Sequence, residues 1–302
     1  MMPESTWDIW LRDHLKTCPI CKDSFEGSGE VGYVRSGVRQ VSGVLPRASR
    51  RSMIALLAIV KNERLAYLRE WREHHSRLGV THTYLLEHEP NDISIPDMPD
   101  TTIWPVAQSR TQPRHYYDAL QKINASWCLV LDCDEFLVCN DLTGLLARQD
   151  ESTSALAVYW IMFGSDGHDC PVYPVHGNYR RHLPRSHPDS RLFKSIVRPE
   201  RIHTVGPNPH LFACRTVDEL GREVTRVGEH EPSYRHIRIN HYYTRSAADW
   251  QNKLLRGRAD GGKYAANNLL VTDLACSETM HDPTTLDRSC CVRVDLKASP
   301  IS

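Results

Sequence analysis

The run Leu129-Val130-Leu131-Asp132-Cys133-Asp134-Glu135-Phe136 joins an apolar stretch to two carboxylates one residue apart. Side chains in extended backbone repeat every second residue, so a strand that ends this way turns Asp132 and Asp134 to the same side. Two neighbouring carboxylates repel unless a cation lies between them. A hard divalent ion such as Mn2+ or Mg2+ takes oxygen ligands and carries substrate phosphates in its open positions. The triplet points to phosphate or diphosphate chemistry, although a bare Asp-x-Asp also occurs by chance as solvated loop acid. A second pair, Cys18-Pro19-Ile20-Cys21, has the spacing of a zinc or redox motif. Structural zinc takes four ligands; His14 offers a third, and no fourth stands out. No strand precedes the pair, as a thioredoxin-like site requires. Residues 1–50 therefore read as a poorly ordered extension.

Distant polar residues need a frame that gathers them. Ile54 to Val60 reads as a buried strand, and Asn62 can cap a helix after it. On that helix Leu65, Leu68, Trp71, His75 and Leu78 recur at spacings of three and four, making one apolar face, and Gly79 ends it. Val80 to Leu86 and Thr101 to Pro105 follow as strands, Gln112 to Ile123 as a helix, and Trp127 to Leu131 as the next strand. Such alternation implies an α/β fold, a mostly parallel sheet with helices on its faces. Ligands of these sheets bind outside the carboxyl ends of the strands. Lys61-Asn62-Glu63, Glu87-His88 and Asp132-Cys133-Asp134 all fall at such ends and converge. Further strands are expected at Ala155–Trp160, Phe193–Val197 and Ile237–Tyr243, with a tight loop at Phe163–His168. Ser246 with Asp249 three residues on opens a capped helix. It carries Trp250, Lys253, Leu254 and Arg256 and stops at Gly257. The expected division is an extension over 1–50, a domain over 51–262, and a weakly patterned tail over 263–302.

Composition bounds the function. The chain of 302 residues is 40% apolar and 25% charged, as in ordinary globular proteins. Its 37 basic and 37 acidic side chains balance, which argues against a general nucleic-acid binder. The longest apolar stretch, Met53 to Val60, is far short of the ~20 residues of a membrane-spanning helix. It follows Arg47, Arg50 and Arg51, but it is internal, and Lys61-Asn62-Glu63 stands where a leader's cleavage site would need small residues. Ten cysteines form no disulfide pattern: Cys128, Cys133 and Cys139 cluster about the Asp-x-Asp, and Cys290 and Cys291 are adjacent. Reduced thiols in a cytoplasmic setting are the simplest expectation.

Lys61-Asn62-Glu63, then Tyr67-Leu68, Glu70-Trp71, His74-His75 and Gly79, resemble the opening of a group of nucleotide-sugar glycosyltransferases. These are the family 2-like and family 92-like enzymes with a GT-A fold. Trp127 with Leu131-Asp132-Cys133-Asp134-Glu135-Phe136 is similar to their metal motif, and Trp160, Phe163-Gly164-Ser165 and Gly167-His168 to their acceptor-side loop. Lys194-Ser195-Ile196-Val197-Arg198-Pro199 and Asn240-His241-Tyr242-Tyr243 with Arg245-Ser246 match later landmarks, so the resemblance spans about 53–258. It departs after the second strand, where Glu87, His88, Pro90 and Asp92 replace an Asp-Asn with Ser and Asp following.

The resemblance implies an inverting transfer of a sugar from a nucleotide-diphosphate donor, UDP foremost, to a hydroxyl of a carbohydrate or glycolipid. A Mn2+ held by Asp134, and by Asp132 directly or through water or ribose, would neutralise the leaving diphosphate, and His241 stands where the family's histidine ligand does. Lys61, Asn62, Glu63, Glu87 and Asp132 would meet the donor. Lys253 and Arg256 share a helix face that either meets the diphosphate or is simply solvated; Arg245, Arg180, Arg181 and Lys194 are further candidates. Asp166 and His168 are the expected catalytic bases, set against the reading of Asp166 as a turn former. Tyr159, Trp160 and Trp104 could stack on sugars, though large aromatics more often fill cores. The expected location is the cytoplasm or the inner membrane face, with peripheral membrane association in the second case. Two rivals stand beside this reading: a haloacid-dehalogenase-like phosphatase using Asp132 as nucleophile, and a non-catalytic carbohydrate-binding relative.

Overall fold

The computed structural model describes residues 53–88, 95–107, 111–258, 262–265 and 268–286. The 1–50 extension with Cys18 and Cys21, Pro90, Asp92 and the Cys290-Cys291 pair lie outside the described residues. The first half alternates β1 (Ile54–Val60), α1 (Leu65–Arg77), β2 (His82–His88), β3 (Thr101–Val106), α2 (Gln112–Leu120) and β4 (Trp127–Val130). Then come β5 (Glu135–Cys139), α3 (Leu142–Ala147), β6 (Ala155–Met162), β7 (Arg181–His182), β8 (Phe193–Val197), β9 (Thr216–Asp218) and β10 (Ile237–His241). The described chain closes with α4 (Ala247–Arg256), α5 (Asn268–Ala275) and β11 (Glu278–Thr279).

Among the described residues one large sheet runs β3-β2-β1-β4-β8-β6-β10-β5, with β9 also on β6. The pairs β1–β2, β2–β3, β1–β4, β6–β10 and β6–β9 are parallel, while β8 runs antiparallel to β4 and β6, and β5 to β10. The expected α/β class with a mostly parallel sheet is therefore present.

The unbroken apolar run of β1 follows from its place in the middle of this sheet, since a strand covered on both faces needs apolar residues at every position. Leu56, Ala58 and Val60 pack on one face with Tyr67, Leu68 and Trp71 of α1. Ala55, Leu57 and Ile59 pack on the other with Tyr116, Ala119 and Leu120 of α2. Each fully buried leucine contributes about 1.5–3 kcal/mol relative to exposure. Trp71 is wholly buried and donates its indole N–H to the carbonyl of Glu135 at 2.8 Å, which ties α1 to the start of β5.

Several boundaries differ from the expectation. Asn62 does not cap α1; it turns the chain at φ 47°, and Arg64 takes the cap position with no side-chain cap bond. Asparagine is among the few residues that visit this left-handed region readily. β2 starts at His82 rather than at residue 80, because Thr83 to Glu87 must lie in register with Leu56 to Val60. Strand β5 was not expected. Its partner β10 lies about a hundred residues away, so neither a hairpin nor a periodic pattern announces it. Residues 268–286, expected as tail, hold α5 and β11. Asp273 accepts from both the backbone N–H and the hydroxyl of Ser165 at 2.7 and 2.5 Å, and Arg238 and Asn240 donate to the carbonyl of Pro283 at 3.0 and 2.8 Å. Among the described residues no helix is long and apolar enough to cross a membrane.

Candidate active site

Parallel pairing of β1 with β4 places Leu57 beside Val130. The residues that follow, Lys61 to Glu63 and Asp132 to Asp134, therefore leave the sheet at the same edge. Strand β10 brings in His241 opposite Glu135, and Tyr242 donates its backbone N–H to the carbonyl of Asp134 at 2.8 Å. Helix α4 closes one side. Its start is held by the capping box of Ser246 and Asp249, and Asp249 also accepts from Tyr67 Oη at 2.6 Å and Arg64 Nε at 2.8 Å. These elements surround a cleft of about 430 Å³ that Lys61, Asp132, Asp134, His241, Lys253 and Arg256 line together.

The two aspartates are held differently. Asp132 Oδ2 accepts from Lys194 Nζ at 2.8 Å, and its Oδ1 accepts from Tyr116 Oη at 3.2 Å. Its side chain is 36% exposed, whereas Lys194 is 1% exposed. Burial opposes ionisation of Asp132, but Lys194 outweighs it and lowers the pKa. Asp134 lies deeper. Its Oδ2 accepts from Lys253 Nζ at 2.5 Å, and His241 Nε2 stands 3.6 Å from its Oδ1. Burial again opposes the charge, yet Lys253 and His241 hold the Asp134 carboxyl well below the usual range. Burial pushes the Lys253 ammonium down, although Asp134 pulls it the other way. Lys253 also donates to the carbonyl of Tyr243.

Glu135 is outside the cleft lining and is fully buried. Its Oε2 accepts the backbone N–H of Asp132 at 2.8 Å and so braces the turn between the aspartates. Burial raises its pKa well above the carboxylate range, Lys194 at 3.8 Å notwithstanding. Glu63 reaches the cleft but is committed to cations: Arg245 Nη1 donates at 2.7 Å and Arg256 Nη1 at 3.3 Å. Burial acts against its charge, and those two guanidinium groups nonetheless lower its pKa. Arg245 is itself buried, with its guanidinium 4.1 Å from the Tyr67 ring centroid.

Two expected groups lie elsewhere. Asp166 and His168 do not line the cleft. The Asp166 carboxylate accepts the backbone N–H groups of Arg180 at 2.5 Å and Arg181 at 2.7 Å, at φ 52°, so it is the turn former of the alternative reading. His168 packs edge-on against Tyr179 at 5.3 Å. Their loop is bound to 180–181, to α5 and, through the carbonyl of His168, to Ala247 at the start of α4, so neither side chain joins the residues gathered at the cleft. Asn62 and Glu87 are also outside the lining, as are Arg180 and Arg181. Of the aromatics, Trp160 lines the cleft with its ring centroid 4.4 Å from that of His241, while Tyr159 is buried and Trp104 stacks on Tyr84 at 4.9 Å.

The cleft also takes Gln112, Asp189, His210, Tyr243, Arg258, Tyr264 and Asn268, to which sequence reading assigned no role. They come from loops and helix ends without periodicity, and Asp189 and His210 carry no motif. Signals existed for Gln112 and Tyr243, which stand at the ends of expected elements, and for the Lys194 strand, through its place in Lys194-Ser195-Ile196-Val197-Arg198-Pro199.

The chain matches no family model and no curated protein sequence. Among solved structures it is similar to residues 1–349 of TarS from S. aureus, at 13% identity, 50% of this chain, 48% of that one and TM-score 0.31. The bifunctional IspDF of Campylobacter jejuni is similar at 10% identity, 58% of this chain, 52% of that one and TM-score 0.33. A UDP-glucose pyrophosphorylase complexed with UDP-glucose is similar at 10% identity, 63% of this chain, 90% of that one and TM-score 0.31. The chain thus spans about half the length of the TarS and IspDF structures it matches.

Proposed function

We propose that this chain is a glycosyltransferase of GT-A type. It would move a sugar from a nucleotide-diphosphate donor, UDP foremost, to a hydroxyl of a carbohydrate or glycolipid with inversion at the sugar. The observation that carries the reading is one cleft lined by Asp132, Asp134 and His241 together with the cations Lys61, Lys253, Arg256 and Arg258. Cationic side chains in a partly enclosed cleft attract a diphosphate and stabilise the charge it gains as a leaving group.

A divalent cation fits part of the expected ligand set. His241 Nε2 and Asp134 Oδ1 face one another at 3.6 Å, and the buried His241 Nδ1 has no hydrogen-bond partner among the described residues. Asp132 is engaged by Lys194, and among the described residues no three His, Cys, Asp or Glu side chains gather into a metal group. Mn2+ or Mg2+ would thus rest on Asp134 and His241, with Asp132 acting through the donor, and would supply Lewis-acid neutralisation of the diphosphate. The chain's own residues do the remainder. Lys253 and Arg256 bind phosphate oxygens, Lys194 fixes the direction of Asp132, and Trp160 holds the His241 ring.

The test combines calorimetry of UDP, with and without Mn2+, with a panel of nucleotide sugars assayed for UDP release. Mn2+-strengthened UDP binding and turnover of one donor are expected. Failure to bind any nucleotide diphosphate overturns the proposal and leaves the non-catalytic relative. Cleavage of aryl phosphates without donor turnover favours the phosphatase.

A further inference from the structure

Resting on that reading, we infer that Asp189 is the general base that takes the proton of the acceptor hydroxyl. Four carboxylates line the cleft: Glu63, Asp132, Asp134 and Asp189. The first three are bound to cations, Glu63 by Arg245 and Arg256, Asp132 by Lys194 and Asp134 by Lys253. A cation beside a carboxylate lowers its affinity for a proton, which makes it a poor base. Among the described residues Asp189 has no Lys or Arg ion-pair partner, and its side chain is 47% exposed. His187 Nδ1 stands 3.8 Å from Asp189 Oδ2 and accepts the backbone N–H of Asp189 at 3.2 Å.

The carboxylate is also firmly carried. It lies in the single turn Pro188–Arg191, where Leu192 donates its backbone N–H to the carbonyl of Asp189 at 3.1 Å. Leu192 in turn accepts from the N–H of Trp160 at 2.9 Å, so the turn is tied to β6. Strand β6 lies beside β10, with Met162 in register with His241. Asp189 and His241 are thus held on neighbouring supports facing one cleft. Of the histidines there, His210 is a poorer base, because burial and nearby Lys194 push it down to about 4, and His241 is assigned above to the cation.

In the step, the acceptor O–H gives its proton to the Asp189 carboxylate as the oxygen lone pair forms a bond to the anomeric carbon. The bond from that carbon to the diphosphate oxygen breaks, and its electron pair leaves on the nucleoside diphosphate.

The full chain is compared with Asp189→Asn and Asp189→Ala. UDP is the binding probe, and UDP-glucose, UDP-galactose and UDP-N-acetylglucosamine are offered as donors. For the donor that the wild type turns over, Asp189→Asn is expected to lower kcat about 100-fold or more. UDP affinity is expected to stay within about twofold, because the residue is absent from the donor contacts. Added formate should restore turnover to Asp189→Ala by supplying a carboxylate to the vacated space. A rate within about threefold of wild type overturns the assignment, and so does a parallel loss of UDP affinity. Loss of rate in an Asp189→Ala protein that binds UDP but gains nothing from formate gives Asp189 a positioning role and also overturns it. A wild type that neither binds UDP nor turns over any donor overturns the transferase reading itself.

Discussion

Asp134 and Asp166 both follow buried strands, yet they have opposite fates. Asp134 leaves β4 and meets side chains, Lys253 at 2.5 Å and His241 at 3.6 Å. Asp166 leaves β6 and meets backbone, the N–H groups of Arg180 and Arg181. A carboxylate tied to two main-chain amides is a brace, since those amides cannot move without moving the chain. A carboxylate tied to a long flexible ammonium can exchange partners when a ligand enters. Which kind of partner the tertiary fold supplies separates a chemical aspartate from a structural one.

The largest expected effect breaks the chemical side. Asp134→Asn should reduce donor turnover by about 100- to 1,000-fold, as removal of a main electrostatic contact does. It also leaves the buried Lys253 ammonium without its partner, and breaking a buried pair costs about 3–5 kcal/mol. Thermal melting of Asp134→Asn beside Asp134→Asn/Lys253→Met separates the two consequences. The double variant should regain stability and stay inactive. Near-wild-type turnover in the single variant would remove Asp134 from the chemistry.

The brace should respond in reverse. Asp166→Ala is expected to cost about 1–3 kcal/mol of stability, as loss of charge-assisted bonds does. Its kcat should stay within about twofold of wild type, since no cleft residue is touched. Denaturant unfolding with parallel kinetics checks this, and a selective loss of rate would reopen the role of the 163–168 loop.

A smaller effect concerns pH and sharpens the contrast between site and core. His176 is part-buried and stacks on Phe136 at 5.3 Å, and desolvation with neighbouring His74 pushes it down to about 3. Its folded pKa lies below the unfolded value of about 6.5, so the unfolded chain binds the proton first. The stability from the neutral ring is full above about pH 6.5 and is lost as pH falls toward 3. The melting temperature of the wild type should drop across that window. His176→Gln should show a flatter profile, with UDP binding unchanged; an identical slope would remove His176 as a cause.

The two halves of the molecule were unequally legible in the sequence. From β1 to β4 the buried strands and amphipathic helices follow one another locally, so alternation alone implied the sheet and the edge where Lys61 and Asp132 emerge. Beyond Asp134 the pairings are distant: β5 with β10, β8 between β4 and β6, and α5 on Ser165. Gly-Ser-Asp-Gly-His looked chemical because its residue types are chemical, but those types also make turns.

What the sequence determined by itself was local. The apolar periods, the capping box at Ser246, the glycine after α1 and the Asp-x-Asp at a strand end depend on neighbours within a few residues. Only the tertiary structure decided which side chains share space: that Lys194 and Lys253 divide the two aspartates between them, that Glu63 goes to Arg245, and that Asp189 has no Lys or Arg partner among the described residues. Charges interact over a few ångströms of space and not of chain, so side chains more than a hundred residues apart set each other's chemistry once the fold has brought them together.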